Sequence, residues 1–200
     1  MRLRPFLVPA SLLGLALTLA CSDGAEPTSP LQPALRAVAL TGFGFHGSVS
    51  GAPTGEVRLT GGGRFDPSTA SNTVPAETSA SAGGGFDCTS AVAQGPLAGC
   101  EAGQGVRWDT AQLLVSSPFR CTGTDDLKTA TTDSRTAVLR AEFYRAGDGQ
   151  EESFTAAMFV ADRDLAPDLE GTQNLWIQGV GCGTATVNFN RSGAGARGEL

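Results

Sequence analysis

The sequence predicts an all-β fold, an antiparallel sandwich or barrel-like domain with long loops and two disulfides. Three observations carry that expectation. The 200 residues include 27 glycines and 11 prolines, which interrupt helices. Several segments alternate apolar and polar residues with period two, as half-buried strands require. Four cysteines, Cys88, Cys100, Cys121 and Cys182, follow a segment composed like an export signal, and an even set in an oxidising compartment pairs.

That segment comes first in the chain. Met1-Arg2-Leu3-Arg4 is a short positive n-region, and the fifteen residues from Phe6 to Ala20 carry no charge, an h-region too short to span a bilayer comfortably. The run closes on Leu17-Thr18-Leu19-Ala20-Cys21. This resembles the lipobox of bacterial lipoproteins, with Thr18 where an aliphatic residue is more usual; a plain secretory signal is the alternative. The resemblance implies that residues 1–20 are a signal peptide and that Cys21 is lipidated and becomes the N-terminus. Each buried methylene contributes about 0.8 kcal/mol, so several acyl chains hold where one would slip. Ser22, rather than Asp, after the cysteine resembles lipoproteins released to an outer membrane where one exists. The expected location is the cell envelope, anchored to a bacterial membrane and facing periplasm or exterior.

Residues 21–36, with Pro27, Pro30 and Pro33 among small polar residues, read as a flexible linker. The span 37–190 is long enough for one all-β domain with a modest core. Losing Arg2 and Arg4 with the signal takes the net charge from −6 to about −8, and Lys128 is the only lysine. An acidic surface without a basic cluster argues against nucleic acid and against a polybasic membrane patch.

Within the domain, Glu56-Val57-Arg58-Leu59-Thr60 and Gly105 to Thr110 alternate as strands. Gly61 to Asp66 and Gly83 to Cys88 each run glycines into a Phe-Asp pair, with the glycines expected at bulges and turns. They lack the Lys-Ser/Thr of a phosphate loop. Between them, Pro67 to Ala82 is expected to be a long exposed loop. Leu139, Ala141 and Phe143 share one strand face and Phe154, Ala156, Met158 and Val160 another, joined by a turn at Gly147-Asp148-Gly149. Strands at Asn174 to Val180 and Thr184 to Phe189 follow, and residues 191–200 are expected to fray. Of the three pairings open to four cysteines, Cys88–Cys100 and Cys121–Cys182 are favoured. The first closes a short Gly/Pro loop, and the second ties a middle strand to a late one.

The arrangement over residues 56 to 189 resembles an uncharacterised all-β domain found at the end of many secreted bacterial proteins. That group implies an accessory role and supplies no functional residue.

Chemistry has few carriers. His46, the only histidine, is expected on the surface of an edge strand and has no G-x-S-x-G elbow to serve. The cysteines lack C-x-x-C spacing, so a zinc or redox site is not expected. Carboxylates occur at Asp125-Asp126, at Glu151-Glu152, and in a run holding Asp162, Asp164, Asp168 and Glu170. That run offers oxygen ligands to calcium but lacks the spacing of a calcium loop. Trp108 and Trp176 read as core, and Tyr144 as the ring more exposed. The expectation is a lipid-anchored, non-catalytic binding or structural domain without a cofactor. A carbohydrate-binding module or a carboxylate-dependent envelope hydrolase is the alternative.

Replacing Cys21 with Ser should move the protein out of the membrane fraction. Unchanged fractionation of C21S would overturn the lipid anchor.

Overall fold

The structure, a computed structural model, describes residues 40–51, 55–73, 80–122, 125–145 and 153–191. All of these belong to the compact unit Ala37–Leu200. Its strands are β1 (Thr41–Ser50), β2 (Glu56–Phe65), β3 (Ala80–Ser90), β4 (Arg107–Leu113), β5 (Ser116–Phe119), β6 (Lys128–Thr131), β7 (Thr136–Tyr144), β8 (Ser153–Ala161), β9 (Leu175–Ile177), β10 (Gly181–Gly183) and β11 (Ala185–Arg191).

Every pairing is antiparallel, and the main sheet runs β10-β9-β8-β7-β4-β3-β2-β1-β11. It also closes on itself, because Ser50 of β1 faces Cys182 of β10 and the Ser48 amide donates to the Thr184 carbonyl at 3.3 Å. β10 and β11 therefore act as one strand broken at Thr184, paired to β1 along its length. The result is an up-and-down barrel of eight strands, interrupted only where the chain leaves between β4 and β7 to form the β5–β6 hairpin. Closure removes most of the sheet edge that would otherwise invite aggregation.

A barrel of this size has an interior that side chains just fill. Here Phe43, Phe45, Leu59, Phe65, Phe86, Trp108, Leu139, Phe143 and Met158 fill it. The glycine runs make this possible, and they lie within the strands instead of at turns. Gly61 of β2 and Gly84 of β3 point inward beneath the Trp108 ring. A Cβ added at Gly61 would lie 2.5 Å from Trp108 Cζ2, and one at Gly84 would strike the Thr60 carbonyl oxygen. The indole N–H donates to that same carbonyl at 3.0 Å, which settles its one polar atom inside an apolar core. The expected loop after β2 is also shorter: Asp66 caps a 3-10 turn at Pro67–Thr69, and β3 begins at Ala80.

One end of the barrel is plugged by the segment between β3 and β4, whose Val92 and Leu97 enter the core. The Cys88–Cys100 disulfide closes it. Gly95 and Gly179 meet back to back at φ of 74° and 81°, so close that an added Cβ on either would overlap the other. Gly179 turns the chain after Ile177, which ends β9 sooner than the expected strand to Val180.

A second apolar cluster lies outside the barrel. Val138, Phe159 and Trp176, facing outward from β7, β8 and β9, are covered by Leu114, Phe119 and Ala130 of the hairpin region and by Ala166. Residues Thr136 to Leu139 are therefore all buried, and their alternation marks two apolar surroundings instead of core and solvent. The second disulfide, Cys121–Cys182, fastens this layer to β10. Each bridge should stabilise by about 2–4 kcal/mol. β7 and β8 pair as expected, Leu139 with Met158 and Phe143 with Phe154. The turn at Gly147-Asp148-Gly149 and residues 192–200 lie outside the described residues, whereas β11 reaches Arg191.

Gly61→Ala should destabilise the fold by about 1–3 kcal/mol by overpacking against Trp108. Gly44→Ala, whose Cβ would meet nothing nearer than the Gly61 carbonyl at 4.0 Å, should be close to neutral. Urea unfolding of the two variants checks this, and equal midpoints would refute the packing argument.

Candidate functional site

The residues singled out by sequence lie apart. Cys21, Glu151 and Glu152 are outside the described residues. His46 is exposed on β1 between Thr60 and Thr186, and its strand is an inner one because β11 folds back along it. Asp125 accepts from the Thr122 amide at 2.7 Å and closes a turn, while Asp126 is exposed.

The acidic run is a scaffold for its own loop. Asp162 takes Arg135 Nε through both oxygens at 2.9 and 2.8 Å, and Asp164 Oδ1 accepts from the amides of Ala166 and Gln173 at 2.9 and 3.1 Å. Asp168 lies 2.9 Å from the Lys128 ammonium, whose hydrogen bond and charge hold that carboxyl below its ordinary 3.8. Glu170 is exposed. The four proposed calcium ligands are thus spread along the loop, three of them on separate partners. Among the described residues no group of three or more His, Cys, Asp or Glu could hold a metal. Within the same run, Arg163 donates to Asp133 Oδ2 at 2.7 Å. Partial burial raises the Asp133 carboxyl, but the Arg163 bond and charge and the Arg135 amide outweigh it, leaving the group below 3.8.

The aromatic candidates offer no open platform. Trp108 is fully buried and Trp176 is 5% exposed. The half-buried Tyr144 carries the Arg107 guanidinium 4.4 Å above its ring. Its hydroxyl donates to Glu142 Oε2 at 2.7 Å, which raises the phenol above its ordinary 10.0.

A site among the described residues that combines space with polar groups was not one of these. Between β5 and the outer face of β7, β8 and β9 runs a groove of about 790 Å³, within the usual range of ligand sites. Its floor carries Arg140 of β7, Thr155 and Ala157 of β8, and Gln178 just beyond β9; Leu114, Pro118, Leu127 and Trp176 supply apolar walls. Leu127 is 62% exposed, which leaves apolar surface open at this wall.

Arg140 is half-buried, and its cross-strand neighbours are Gln112 and Ala157. The next outward acid on its own strand, Glu142, is engaged by Tyr144. No Asp or Glu lines the groove among the described residues, although Arg120 also lines it and the chain as a whole is acidic. Gln178 Oε1 accepts from the Ala157 amide at 3.1 Å, which leaves the amide nitrogen of that side chain as a donor.

The β5 edge that forms one wall is blocked against a further strand. Asn72 donates to the Ser116 carbonyl at 3.2 Å and accepts from the Ser116 amide at 3.4 Å; Pro118 has no N–H, and the Trp176 indole holds the Arg120 carbonyl at 3.0 Å. Sequence could place Arg140 on an outward strand position. The groove itself depends on where the hairpin docks, and no local pattern encodes that.

No family model matches this chain, and neither does any curated protein or solved structure.

The Asp133–Arg163 pair contributes above the ordinary carboxyl value of 3.8, and its contribution is lost as pH falls below that value. Arg163→Ala should therefore cost about 0.2–1 kcal/mol near neutrality and nothing in acid. Urea unfolding between about pH 2 and 6 measures the difference. A gap independent of pH would show that the pair is not its source.

Proposed function

We propose that this is a lipid-anchored protein of the bacterial cell envelope whose barrel binds a ligand without chemically altering it. The n-region, the uncharged Phe6 to Ala20 stretch and Cys21 support the anchor. The Cys88–Cys100 and Cys121–Cys182 bridges fit an oxidising compartment. The observation that carries the binding reading is the groove beside β5, which gathers a guanidinium, an amide and a hydroxyl above an apolar wall.

Catalysis draws little support from the same geometry. A general acid or nucleophile needs a partner within hydrogen-bond reach that poises it. Asp162, Asp164 and Asp168 are each held by a group of the scaffold, and none of them lines the groove. The barrel interior is lined by packed side chains such as Phe43, Phe45, Trp108 and Phe143, which favours a site on its outside. The two buried tryptophans lend no support to a sugar platform.

The full chain carrying Cys21→Ser, incubated with peptidoglycan, polysaccharide, ester and peptide substrates, should show no turnover. Turnover lost on changing Asp162, Asp164, Asp168 or Glu170 to its amide would replace this reading with that of an envelope hydrolase.

A further inference from the structure

We propose that the groove takes an amphiphilic anion, a carboxylate or phosphate head on a short apolar body, with Arg140 pairing the head. This rests on the binding reading above and adds the ligand's chemical class. A guanidinium is never neutral near physiological pH, and its planar fork matches carboxylate and phosphate oxygens two at a time. Arg140 stands half-buried on the groove floor, and no hydrogen bond or ion pair ties its guanidinium to a described residue. Each of Arg107, Arg135 and Arg163, by contrast, is paired with an aspartate. A chain with 20 acidic residues has thus kept all of them off the described lining of this groove while placing Arg140 and Arg120 there.

The rest of the lining restricts the anion further. Gln178 and Thr155 add donors to the same lining, while the exposed Leu127 and Pro118 form an apolar surface that a small inorganic ion would leave uncovered. An apolar body laid on that surface would take Leu127 out of water. An extended peptide is disfavoured because the β5 edge is already occupied by Asn72 and interrupted by Pro118. A polyanion such as nucleic acid would be repelled by the net charge of −6.

The test is calorimetric titration of the full chain carrying Cys21→Ser with decanoate and decyl phosphate, both below their micellar range, and with decanol below its solubility limit. At least one of the two anions should bind with a stoichiometry near one, and decanol more than about tenfold weaker. Preference between decanoate and decyl phosphate separates a free fatty carboxylate from a lipid-derived phosphate as the natural source. Arg140→Gln, checked for an unchanged melting temperature, should weaken the anion about 10- to 100-fold and leave decanol unaffected. Arg140→Lys, which keeps the charge without the fork, should fall between the two. Ala157→Phe, which fills the floor, should remove all binding.

Equal binding of decanol and the anions, insensitive to Arg140→Gln but abolished by Ala157→Phe, would overturn the anion and leave the groove as a binding site. Binding that survives both substitutions would overturn the groove as well. No binding of any of the three amphiphiles would overturn the proposal.

Discussion

The barrel depends on one side chain lying where two others are missing. Trp108 enters from β4 and its indole spreads across Gly84 and Gly61, ending in a hydrogen bond to the Thr60 carbonyl. A ring of eight strands has room for its side chains and little more. An indole fits only if its neighbours in the wall give up their own Cβ atoms. Phe45 then packs on the indole at a centroid distance of 5.9 Å, and Phe43 and Phe65 continue the aromatic stack toward the far end. The bond to Thr60 also fixes register, since a slip of one residue would turn Gly61 and Gly84 outward and drive neighbouring side chains into the indole.

Around this core the chain builds a second, partial layer. The β5–β6 hairpin covers the outer face of β7 to β9 with Phe119, whose ring meets Phe159 at 4.8 Å and Trp176 at 6.0 Å. Covalent and electrostatic ties hold it there: the Cys121–Cys182 bridge, the Trp176 indole on the Arg120 carbonyl, and Lys128 against Asp168. The acids of residues 162–170 belong to this layer. Asp164 satisfies the amides of Ala166 and Gln173, and the loop so shaped brings Ala166 into the outer cluster. Their concentration in the sequence reflects the number of amides and cations that an irregular, partly buried segment must satisfy.

The groove is a consequence of that layering. The hairpin packs closely where Phe119 and Ala130 meet the barrel, and stands off where Arg140, Thr155 and Gln178 occupy the outer face. A half-buried cation beside apolar walls suits the proposed binding role, because partial desolvation strengthens its pairing with an anion. Held to a membrane by Cys21 through a proline-rich linker, such a site would meet ligands at the envelope, which is how the proposed anchor and the proposed ligand fit together.

The all-β class and the pairing of β7 with β8 were legible in the chain, because they follow from period-two alternation and from glycine and proline frequency; cysteine parity called for two disulfides but left three pairings open, of which Cys88–Cys100 and Cys121–Cys182 form. The reading of both tryptophans as core rested on their size alone, since Trp108 stands between Arg107 and Asp109, and both are buried. The sequence marked the glycine runs as bulge and turn material, because a glycine that leaves space for a distant indole looks, locally, like one that bends or turns the chain. It gathered Asp162, Asp164, Asp168 and Glu170 by proximity in the chain, whereas the fold sends them to different partners. It took the folded chain to show that β10 returns to β1 and closes the sheet, and that Arg140 lies on a groove floor that no acid lines among the described residues. Both facts concern residues dozens of positions apart, brought together by long-range packing that no local periodicity records.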